Sequence, residues 1–286
     1  MEPLDQVGLT RLRERTTGRP SVVVALIDGR VDPAAARATV RELRPGTRPG
    51  APDACGRDDV CCAHGTFVAA LLAAAPGGIC PGCTLLVRPL FTDQAASGRP
   101  GTCLTGVRTG ELATAITEAV DAGAHVLNLS LAQPAPSPSG ARDGALETAL
   151  DHAADRGTIV VVAAGNQGRV GATVLTAHPW TIPVVAYDRT GRPLPQSNLG
   201  RSIGRDGIGA PGDRITAPGS RACLSGTSAA APFVTGTAAL LLSAVPGATP
   251  AAVRYALTHT PGRRTSVVPP LLDAWTARTL LSTVSR

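Results

Sequence analysis

The fold is decided by the stretch Leu224-Ser225-Gly226-Thr227-Ser228-Ala229-Ala230-Ala231-Pro232, which a run of small and apolar residues continues to Ser243. Apolar residues recur in this run at helical spacing and no charged residue interrupts them, so it predicts a helix buried in the core. A serine at the start of that helix would lie at the positive end of the helix dipole, where an anion is stabilised. The same pattern also fits an ordinary capped core helix, since serine and glycine are common at helix starts. Whether Ser225 or Ser228 is a nucleophile therefore depends on the rest of the chain.

The composition of the chain argues against several classes of function. With 286 residues and 43% hydrophobic content, the chain can bury a large core. Its formal net charge of +6 comes from arginines that are scattered rather than clustered, so nucleic-acid binding is not expected. We find no uninterrupted apolar run of about 18 residues that would predict a membrane span, and no signal peptide. We therefore expect neither nucleic acid nor membrane as a partner, and a cytoplasmic location.

The cysteines are unevenly distributed: positions 55, 61, 62, 80, 83 and 103 lie in one third of the chain, and Cys223 stands apart. Cys80-Pro81-Gly82-Cys83 has the spacing of a redox pair or of two zinc ligands, and Cys61-Cys62 could add thiolates. No second Cys-x-x-Cys pair accompanies it, so local disulfides, a metal site and free buried thiols all remain open. The function predicted below needs no metal and no other cofactor.

Strand and helix patterns alternate along the chain. Continuous apolar runs of strand length lie at residues 21–27, 84–90, 125–130, 158–164 and 182–187. Helical patterns lie at residues 62–72, 110–122, 145–154, 228–243, 250–258 and 271–281, and a short helix is expected within residues 1–20. This alternation predicts an α/β fold with a mostly parallel central sheet and helices on both faces. With no linker or repeat visible, residues 1–286 are interpreted as one domain in which residues 1–20 are an N-terminal extension.

Three polar residues stand at the ends of predicted elements, in the chain order Asp28, His64 and Ser228. A nucleophilic serine needs a base to take its proton, and a carboxylate that fixes the tautomer of that base. It also needs donors for the oxyanion, and Asn166, just after the buried run 158–164, is a suitable amide. Taken singly, Asp28 also fits a helix cap or an Asx-turn, and His64 fits a structural residue. Together, and in the order that subtilisin also has, they predict a serine-protease triad.

Four motifs carry a resemblance to a known family. They are Ala25-Leu26-Ile27-Asp28-Gly29 with Asp32, His64-Gly65-Thr66-x-Val68-Ala69, Ala163-Ala164-Gly165-Asn166, and Gly226-Thr227-Ser228-Ala229-Ala230-x-Pro232, with Asn128-Leu129-Ser130-Leu131 between the second and the third. Each motif alone is modest, but their joint order is highly specific. From about Ser21 to its C-terminus the sequence resembles the subtilisin-like serine proteases, the subtilases. The resemblance implies their three-layer fold.

The resemblance also implies a catalytic role for each matched position. Asp28 would orient and stabilise the imidazole, His64 would act as the general base, and Ser228 would be the nucleophile. The side-chain amide of Asn166 and the backbone N–H of Ser228 would together bind the oxyanion. On this interpretation Ser225 is only a turn residue.

A substrate site is implied in the same way. Ser130-Leu131-Ala132 would line the primary specificity pocket and pair with the substrate backbone as an added strand. Ala163-Ala164-Gly165 would form the other wall of that pocket. The implied partner is a peptide or protein substrate.

The sequence departs from the common family pattern at several places. Gly29 follows Asp28 directly, where many subtilases have Thr or Ser between them, and Phe67 replaces a second histidine. Residues 75–80 replace an acidic loop that often binds structural calcium, so calcium dependence is not expected. The first core strand begins near residue 21, so an N-terminal pro-segment is not expected either.

The Asp-Gly-x-Val-Asp start and the cysteine-bearing loops most resemble subtilases that mature ribosomally made peptides, as in cyanobactin pathways. In that subgroup one type of protease removes leader peptides, and another type cyclises its product under an added helical cap. The sequence contains no clear insertion of that kind, so it is interpreted as a serine endopeptidase that removes the leader from a precursor peptide by hydrolysis. A general intracellular protein-degrading subtilase and a catalytically silent peptide-binding module are the alternatives.

Overall fold

The computed structural model describes residues 2–43, 55, 59–90, 107–130, 144–262 and 264–284. Its centre is a seven-stranded sheet in the order β2-β3-β1-β4-β5-β6-β7, in which every neighbouring pair is parallel. The strands are β1 (Val23–Asp28), β2 (Val40–Glu42), β3 (Thr84–Pro89), β4 (Val126–Leu129), β5 (Ile159–Ala163), β6 (Thr181–Tyr187) and β7 (Ile208–Pro211). A separate antiparallel pair is formed by β8 (Ile215–Thr216) and β9 (Cys223–Leu224).

Eleven helices surround the sheet in the described part of the chain. They are α1 (Pro3–Gln6), α2 (Leu9–Arg13), α3 (Pro33–Ala36), α4 (Val60–Ala73), α5 (Thr109–Asp121), α6 (Gly144–Asp155), α7 (Val174–Ala177), α8 (Arg201–Asp206), α9 (Thr227–Ala244), α10 (Pro250–Thr258) and α11 (Ala274–Val284). The order of strands and long helices along the chain is the alternation that the sequence predicts.

The two faces of the sheet carry separate hydrophobic cores, as the alternation of side chains along β1 shows. Val24 and Leu26 belong to the core that contains the apolar residues of α4 and α9. Ala25 and Ile27, which point the other way, belong to the core that contains those of α5 and α6. The predicted three-layer α/β architecture is therefore confirmed.

Helix α9 is buried along most of its length, as its sequence predicts. Among the described residues it is the one helix with the length and apolar composition to cross a bilayer, but 83% of that segment is buried inside the protein. It contacts α4 and the strands β4, β5, β6 and β7. These contacts are those of a core helix in a globular protein.

The sequence missed the edge strands and misplaced the start of the last helix. β7 reads Ile208-Gly209-Ala210-Pro211, and its glycine and proline conceal the strand pattern. The helix predicted at 271–281 begins instead at Ala274, because Leu271 and Leu272 lie beside β7, where the Leu272 N–H donates to the Gly209 carbonyl. Within residues 2–20 the chain forms two short helices, α1 and α2, rather than one.

The cysteines adopt two of the three states that the sequence left open. Cys55 and Cys62 form a disulfide that ties the chain before α4 to the first turn of that helix. Cys80, Cys83 and Cys223 are free thiols, and Cys103 lies outside the described residues. Within the part of the chain that the structure describes, no group of three or more Cys, His, Asp or Glu side chains could hold a metal ion.

Candidate active site

The carboxyl ends of three adjacent strands bring the predicted residues to one edge of the sheet. Ile27 of β1 pairs with Leu129 of β4, and Leu129 pairs with Val162 of β5. The residues that follow in each strand therefore lie side by side, about 4.8 Å apart from strand to strand. Asp28, Ser130 and Ala163 thus share the edge at which open α/β sheets place their sites.

The Asp28 carboxylate and the His64 imidazole are hydrogen-bonded. Asp28 is fully buried at the end of β1, and its Oδ1 lies 2.8 Å from Nδ1 of His64. The same oxygen accepts a hydrogen bond of 2.7 Å from the Gly29 backbone N–H. Because a carboxylate can only accept, Nδ1 carries the proton and Nε2 is left as the basic nitrogen. The pair therefore holds the imidazole in the tautomer that a general base requires.

Two glycines permit this short distance between β1 and α4. A Cβ atom on Gly65 would lie 2.6 Å from the Arg30 carbonyl oxygen and 2.7 Å from that of Gly29. A Cβ atom on Gly29 would in turn collide with the Cys61 carbonyl in the first turn of α4. Backbone therefore packs directly on backbone here, and this contact gives a structural reason for the glycine that follows Asp28 without an intervening Thr or Ser.

The surroundings of His64 act on its pKa in opposite directions. Burial of the ring lowers the pKa, whereas the negative charge of Asp28 and its hydrogen bond raise it, with a smaller contribution from Cys61. The net effect is a pKa raised above the ordinary value of an imidazole, about 6.5. The structure therefore favours the imidazolium more than water does, as a base that must hold a proton during reaction requires.

Ser228 lies in the first turn of α9, where backbone N–H groups have no partner within the helix. Gly226 precedes this turn with a φ of +126°, and a Cβ atom there would lie 2.8 Å from Oδ1 of Asn166. Only glycine combines that backbone conformation with so close an approach. The Ser228 side chain is half-buried at the surface of the site, and its backbone N–H points out of the helix start.

The amide of Asn166 is oriented by Thr227. Its Oδ1 accepts hydrogen bonds from the Thr227 backbone N–H, at 2.9 Å, and from the Thr227 hydroxyl, at 3.1 Å. That hydroxyl oxygen accepts in turn from the Gly165 N–H at 3.1 Å. Because the amide oxygen faces two donors, the Nδ2 group is the end that remains to donate into the site. This arrangement suits the oxyanion role that the resemblance implies for Asn166.

A polar ladder connects Ser228 with the core of the sheet. The Ser228 hydroxyl donates to the Ser130 carbonyl at 3.3 Å, and the Ser130 hydroxyl donates to the Ser228 carbonyl at 3.4 Å. Asn128 donates to the Ser130 hydroxyl at 2.7 Å and accepts from Thr235 of α9 at 2.8 Å. Within the described residues no hydrogen bond joins His64 to Ser228. A rotation of the serine side chain is therefore needed before proton transfer, as is common in ligand-free sites.

The residues predicted to form one wall of the substrate pocket line a cavity, and most of those predicted for the other wall lie outside the described residues. A cavity beside β5 is lined by Ala163-Ala164-Gly165 and by Gln167, Thr173, Leu175, Asn198 and Val162. Asn198 holds this loop: its amide donates to the Ala164 carbonyl at 3.1 Å and its oxygen accepts from the Gln167 N–H at 3.1 Å. On the opposite side only Ser130 is described, since Leu131 and Ala132 fall outside the described residues.

Sequence reasoning did not assign the residues that support the site. Thr227 lies in the motif Gly226-Thr227-Ser228, so its position directly before Ser228 indicates a role in the site. Thr235 is one of several hydroxyls in α9, and nothing in the sequence distinguishes it. Asn198 lies about thirty residues beyond the loop that it holds, and the sequence carries no signal for that contact.

Comparisons with known proteins agree with this architecture. Residues 21–274 match the model of the subtilase family. The solved structure of the patellamide maturation protease PatA is 33% identical, with a TM-score of 0.76, over 93% of this chain and 98% of that one. The prenylagaramide maturation protease PagA is 30% identical, with a TM-score of 0.78, over 96% of this chain and 98% of that one.

Curated relatives give the same result at the level of sequence. Subtilisin E from Bacillus subtilis (strain 168) is 30% identical over 209 residues, which are 69% of this chain and 50% of that protein. The chain spans about half the length of the curated relatives it matches. The family match covers all seven strands of the central sheet and all four motifs. The chain belongs to the subtilase family.

Proposed function

We propose that this protein is a serine endopeptidase that hydrolyses peptide bonds through an acyl-enzyme and removes the leader from a ribosomally made precursor peptide. The observation that carries the proposal is the hydrogen bond between Asp28 and His64 at the same sheet edge as Ser228. The choice of substrate rests on similarity to the maturation proteases PatA and PagA, over nearly the whole of their chains.

The proposed reaction begins with the Ser228 hydroxyl. After rotation towards His64, its oxygen attacks the scissile carbonyl while Nε2 of His64 takes the proton. The Asp28 carboxylate stabilises the imidazolium that forms, through the bond at Nδ1. The imidazolium then protonates the leaving amine, which departs with the C-terminal part of the substrate.

The oxyanion of the tetrahedral intermediate is bound by two donors. They are Nδ2 of Asn166, oriented by Thr227, and the backbone N–H of Ser228 at the start of α9. Donors of this kind are worth roughly 3–4 kcal/mol of transition-state stabilisation each in the water-excluded site, the magnitude known for the equivalent asparagine of subtilisin. Water then attacks the acyl-enzyme by the same steps, and a linear peptide is released.

The nucleophile is tested by labelling with a fluorophosphonate, which reacts covalently with an activated serine. Wild-type protein is expected to be labelled, and Ser228→Ala to lose the label and all peptidase activity while its melting temperature is unchanged. Ser225→Ala is the matched control, since Ser225 is exposed in a turn, where its hydroxyl accepts from the Arg214 N–H and donates to Oδ1 of Asp213. Labelling that survives in Ser228→Ala would contradict the assignment, and absence of labelling in the wild type would favour a silent peptide-binding module.

The substrate class is tested separately, with mass spectrometry of the products from denatured casein and from a library of precursor-like peptides. We expect one cut per responsive peptide in a shared sequence context, a product carrying the mass of an added water, and little degradation of casein. Extensive fragmentation of casein would indicate a general degradative protease. A product without the added water would indicate cyclisation.

A further inference from the structure

Two thiols that the proposed peptidase reaction does not use, Cys80 and Cys83, lie at the far end of α4 and α9 from the candidate active site. Cys83 lies 3.9 Å, sulfur to oxygen, from the Ser243 hydroxyl, and Ser243 is in the last turn of α9 whereas Ser228 is in the first. Fifteen residues of helix separate the two serines, which is about 22 Å. The thiol pair is therefore a separate feature of the molecule.

The backbone holds the two cysteines in one tight turn. The Cys83 N–H donates to the Cys80 carbonyl at 3.0 Å, and the Cys80 N–H donates to the Leu72 carbonyl of α4 at 2.8 Å. A turn closed in this way keeps its first and fourth Cα atoms within about 7 Å, and disulfides span about 4.4–6.8 Å between Cα atoms. The turn therefore allows the two sulfurs to join with little movement of the backbone.

The segment before β1 packs against this turn so closely that only glycine fits at position 18. A Cβ atom on Gly18 would lie 2.5 Å from the Cys83 sulfur, and Gly18 has a φ of +106°. The Gly82 N–H donates to the Thr17 carbonyl at 2.8 Å. Cys80 is 1% exposed, whereas Cys83 is partly exposed. Solvent thus reaches the residue Cys83 in part, whereas Cys80 is shielded from it.

The surroundings divide the two thiols chemically. The hydrogen bond from the Cys80 thiol lowers the pKa of Cys83 and outweighs its burial, with further help from the Arg19 backbone N–H. The same hydrogen bond, together with burial, raises the pKa of Cys80 well above its usual range, although the Arg13 guanidinium opposes the rise. Cys83 is therefore the sulfur that becomes a thiolate first, and Cys80 keeps its proton while Cys83 is charged.

A metal is a poor occupant of this turn. The turn offers two thiol ligands, whereas a structural zinc site takes four, and no group of three or more metal-binding side chains occurs among the described residues. The neighbouring hydroxyl of Ser243 is already engaged, since it donates to the Ala239 carbonyl at 2.8 Å. Thiol–disulfide exchange is the chemistry that two paired sulfurs of unequal acidity support.

We propose that Cys80 and Cys83 form a reversible dithiol–disulfide site that reacts with low-molecular-weight disulfides of the glutathione type. The Cys83 thiolate attacks one sulfur of oxidised glutathione, a mixed disulfide forms, and one glutathione thiolate leaves and takes up a proton. Cys80 then loses its proton and attacks the Cys83 sulfur, so that the intramolecular disulfide forms and a second glutathione leaves. Two protein thiols are oxidised and one glutathione disulfide is reduced to two thiols. This site operates independently of the proposed peptidase reaction.

The test exposes the full chain to oxidised glutathione, stops exchange with acid, and maps the linked sulfurs by mass spectrometry, in a Cys223→Ser background that removes an exposed thiol. The parent chain is expected to lose two thiols, to gain a Cys80–Cys83 link that dithiothreitol reverses, and to retain no glutathione. Cys80→Ala is expected to stop at a stable mixed disulfide on Cys83. Cys83→Ala is expected to react with oxidised glutathione at about a tenth of the rate of Cys80→Ala, or below, because the remaining thiol is buried and weakly acidic.

Three results would overturn the proposal. They are glutathione that stays on Cys83 in the parent chain, a link from either cysteine to another position, and equal reaction rates in the two single variants. Circular dichroism checks that each variant folds. If a variant does not fold, the map of linked sulfurs in the parent chain decides the outcome by itself.

Discussion

The two halves of the candidate active site are held together by different physical means. Asp28 and His64 are brought together by direct contact of backbone on backbone, at Gly29 and Gly65, where a side chain would not fit. Ser228 and Asn166 are instead placed chiefly by the two hydrogen bonds that Asn166 accepts from the Thr227 backbone N–H and hydroxyl, beside one close approach of Gly226 to Asn166. Steric contact leaves little freedom, whereas a single neutral hydrogen bond contributes only about 1 kcal/mol.

Only one of the two halves has the geometry of a working triad in this structure. The Asp28–His64 bond is formed at 2.8 Å, while the Ser228 hydroxyl donates to the Ser130 carbonyl rather than to His64. The sterically fixed half already has the geometry that proton transfer needs, whereas in the hydrogen-bonded half the Ser228 side chain must first rotate towards His64. Variants that disturb the two halves should therefore differ in the size and the kind of their effect.

Among variants that keep the nucleophile, the largest effect is expected from Asp28→Asn, which keeps the shape of the fixed half and removes its charge. We expect kcat to fall by about 10⁴-fold, because the amide favours the wrong imidazole tautomer and does not stabilise the imidazolium. The pH profile should change as well. In the wild type, activity falls as His64 becomes protonated at low pH. Because the pKa of His64 is raised, the midpoint of this loss should lie above about 6.5. Without the carboxylate, burial remains and the acid limb of the residual activity should move to lower pH.

The matched control is Asp151→Asn, at an exposed carboxylate whose Oδ1 lies 3.1 Å from Nε2 of His178. This variant removes an Asp–His pair outside the site, which is bonded through the other ring nitrogen, and should leave kcat/KM and its pH profile unchanged. The measurement is kcat/KM as a function of pH for the wild type, Asp28→Asn and Asp151→Asn. An unchanged acid limb in Asp28→Asn would mean that His64 is not the titrating base.

An intermediate effect is expected from Gly65→Ala, which breaks the fixed half by volume alone. The new Cβ would approach two carbonyl oxygens to 2.6 and 2.7 Å, so α4 has to move away from β1. A displacement of about 1 Å at a catalytic group costs about 10²-fold in rate, and overpacking costs about 1–3 kcal/mol of stability. We expect both losses, measured as kcat/KM and as the free energy of unfolding in urea.

Gly110→Ala is the control for this substitution, since Gly110 lies in the first turn of α5 and no described residue comes within 4 Å of its Cβ position. There alanine should leave activity intact and stabilise the protein by up to about 1 kcal/mol, as expected for a helix. If Gly65→Ala behaves like Gly110→Ala, the close approach of backbones is not what positions His64.

The fold was predictable where a strand is a continuous apolar run, and not where glycine and proline interrupt a strand that is equally buried. β1, β3, β4 and β5 are covered by helices on both faces, so each is a continuous apolar run that the sequence displays. β7, at the edge of the sheet, contains Gly209 and Pro211, so its sequence is not a continuous apolar run. The disulfide between Cys55 and Cys62 was equally out of reach, because spacing alone does not decide which cysteines pair.

The candidate site was predictable where chemistry restricts the residue type and unpredictable where packing does. A base, a carboxylate and a hydroxyl at element ends predict a triad only when they are taken together and in order, and the structure brings Asp28 to His64 and Asn166 to the turn that holds Ser228. The steric role of Gly65 depends on how close two backbones come, which no local pattern records. The roles of Leu131 and Ala132, outside the described residues, stay predictions.

The smallest effect is expected from Thr227→Val, which loosens the hydrogen-bonded half without changing its shape. The substitution removes the hydroxyl that donates to Asn166 and accepts from the Gly165 N–H, while the backbone N–H of residue 227 still binds Asn166. Loss of one such bond, with a buried N–H left unsatisfied, costs about 1–2 kcal/mol, so kcat should fall about tenfold with little change in KM. Thr227→Ser keeps the hydroxyl and should retain most of the activity. A loss as large as that of Asp28→Asn would show that Thr227 touches the reacting atoms directly, whereas no loss would show that the Thr227 backbone alone orients the amide of Asn166.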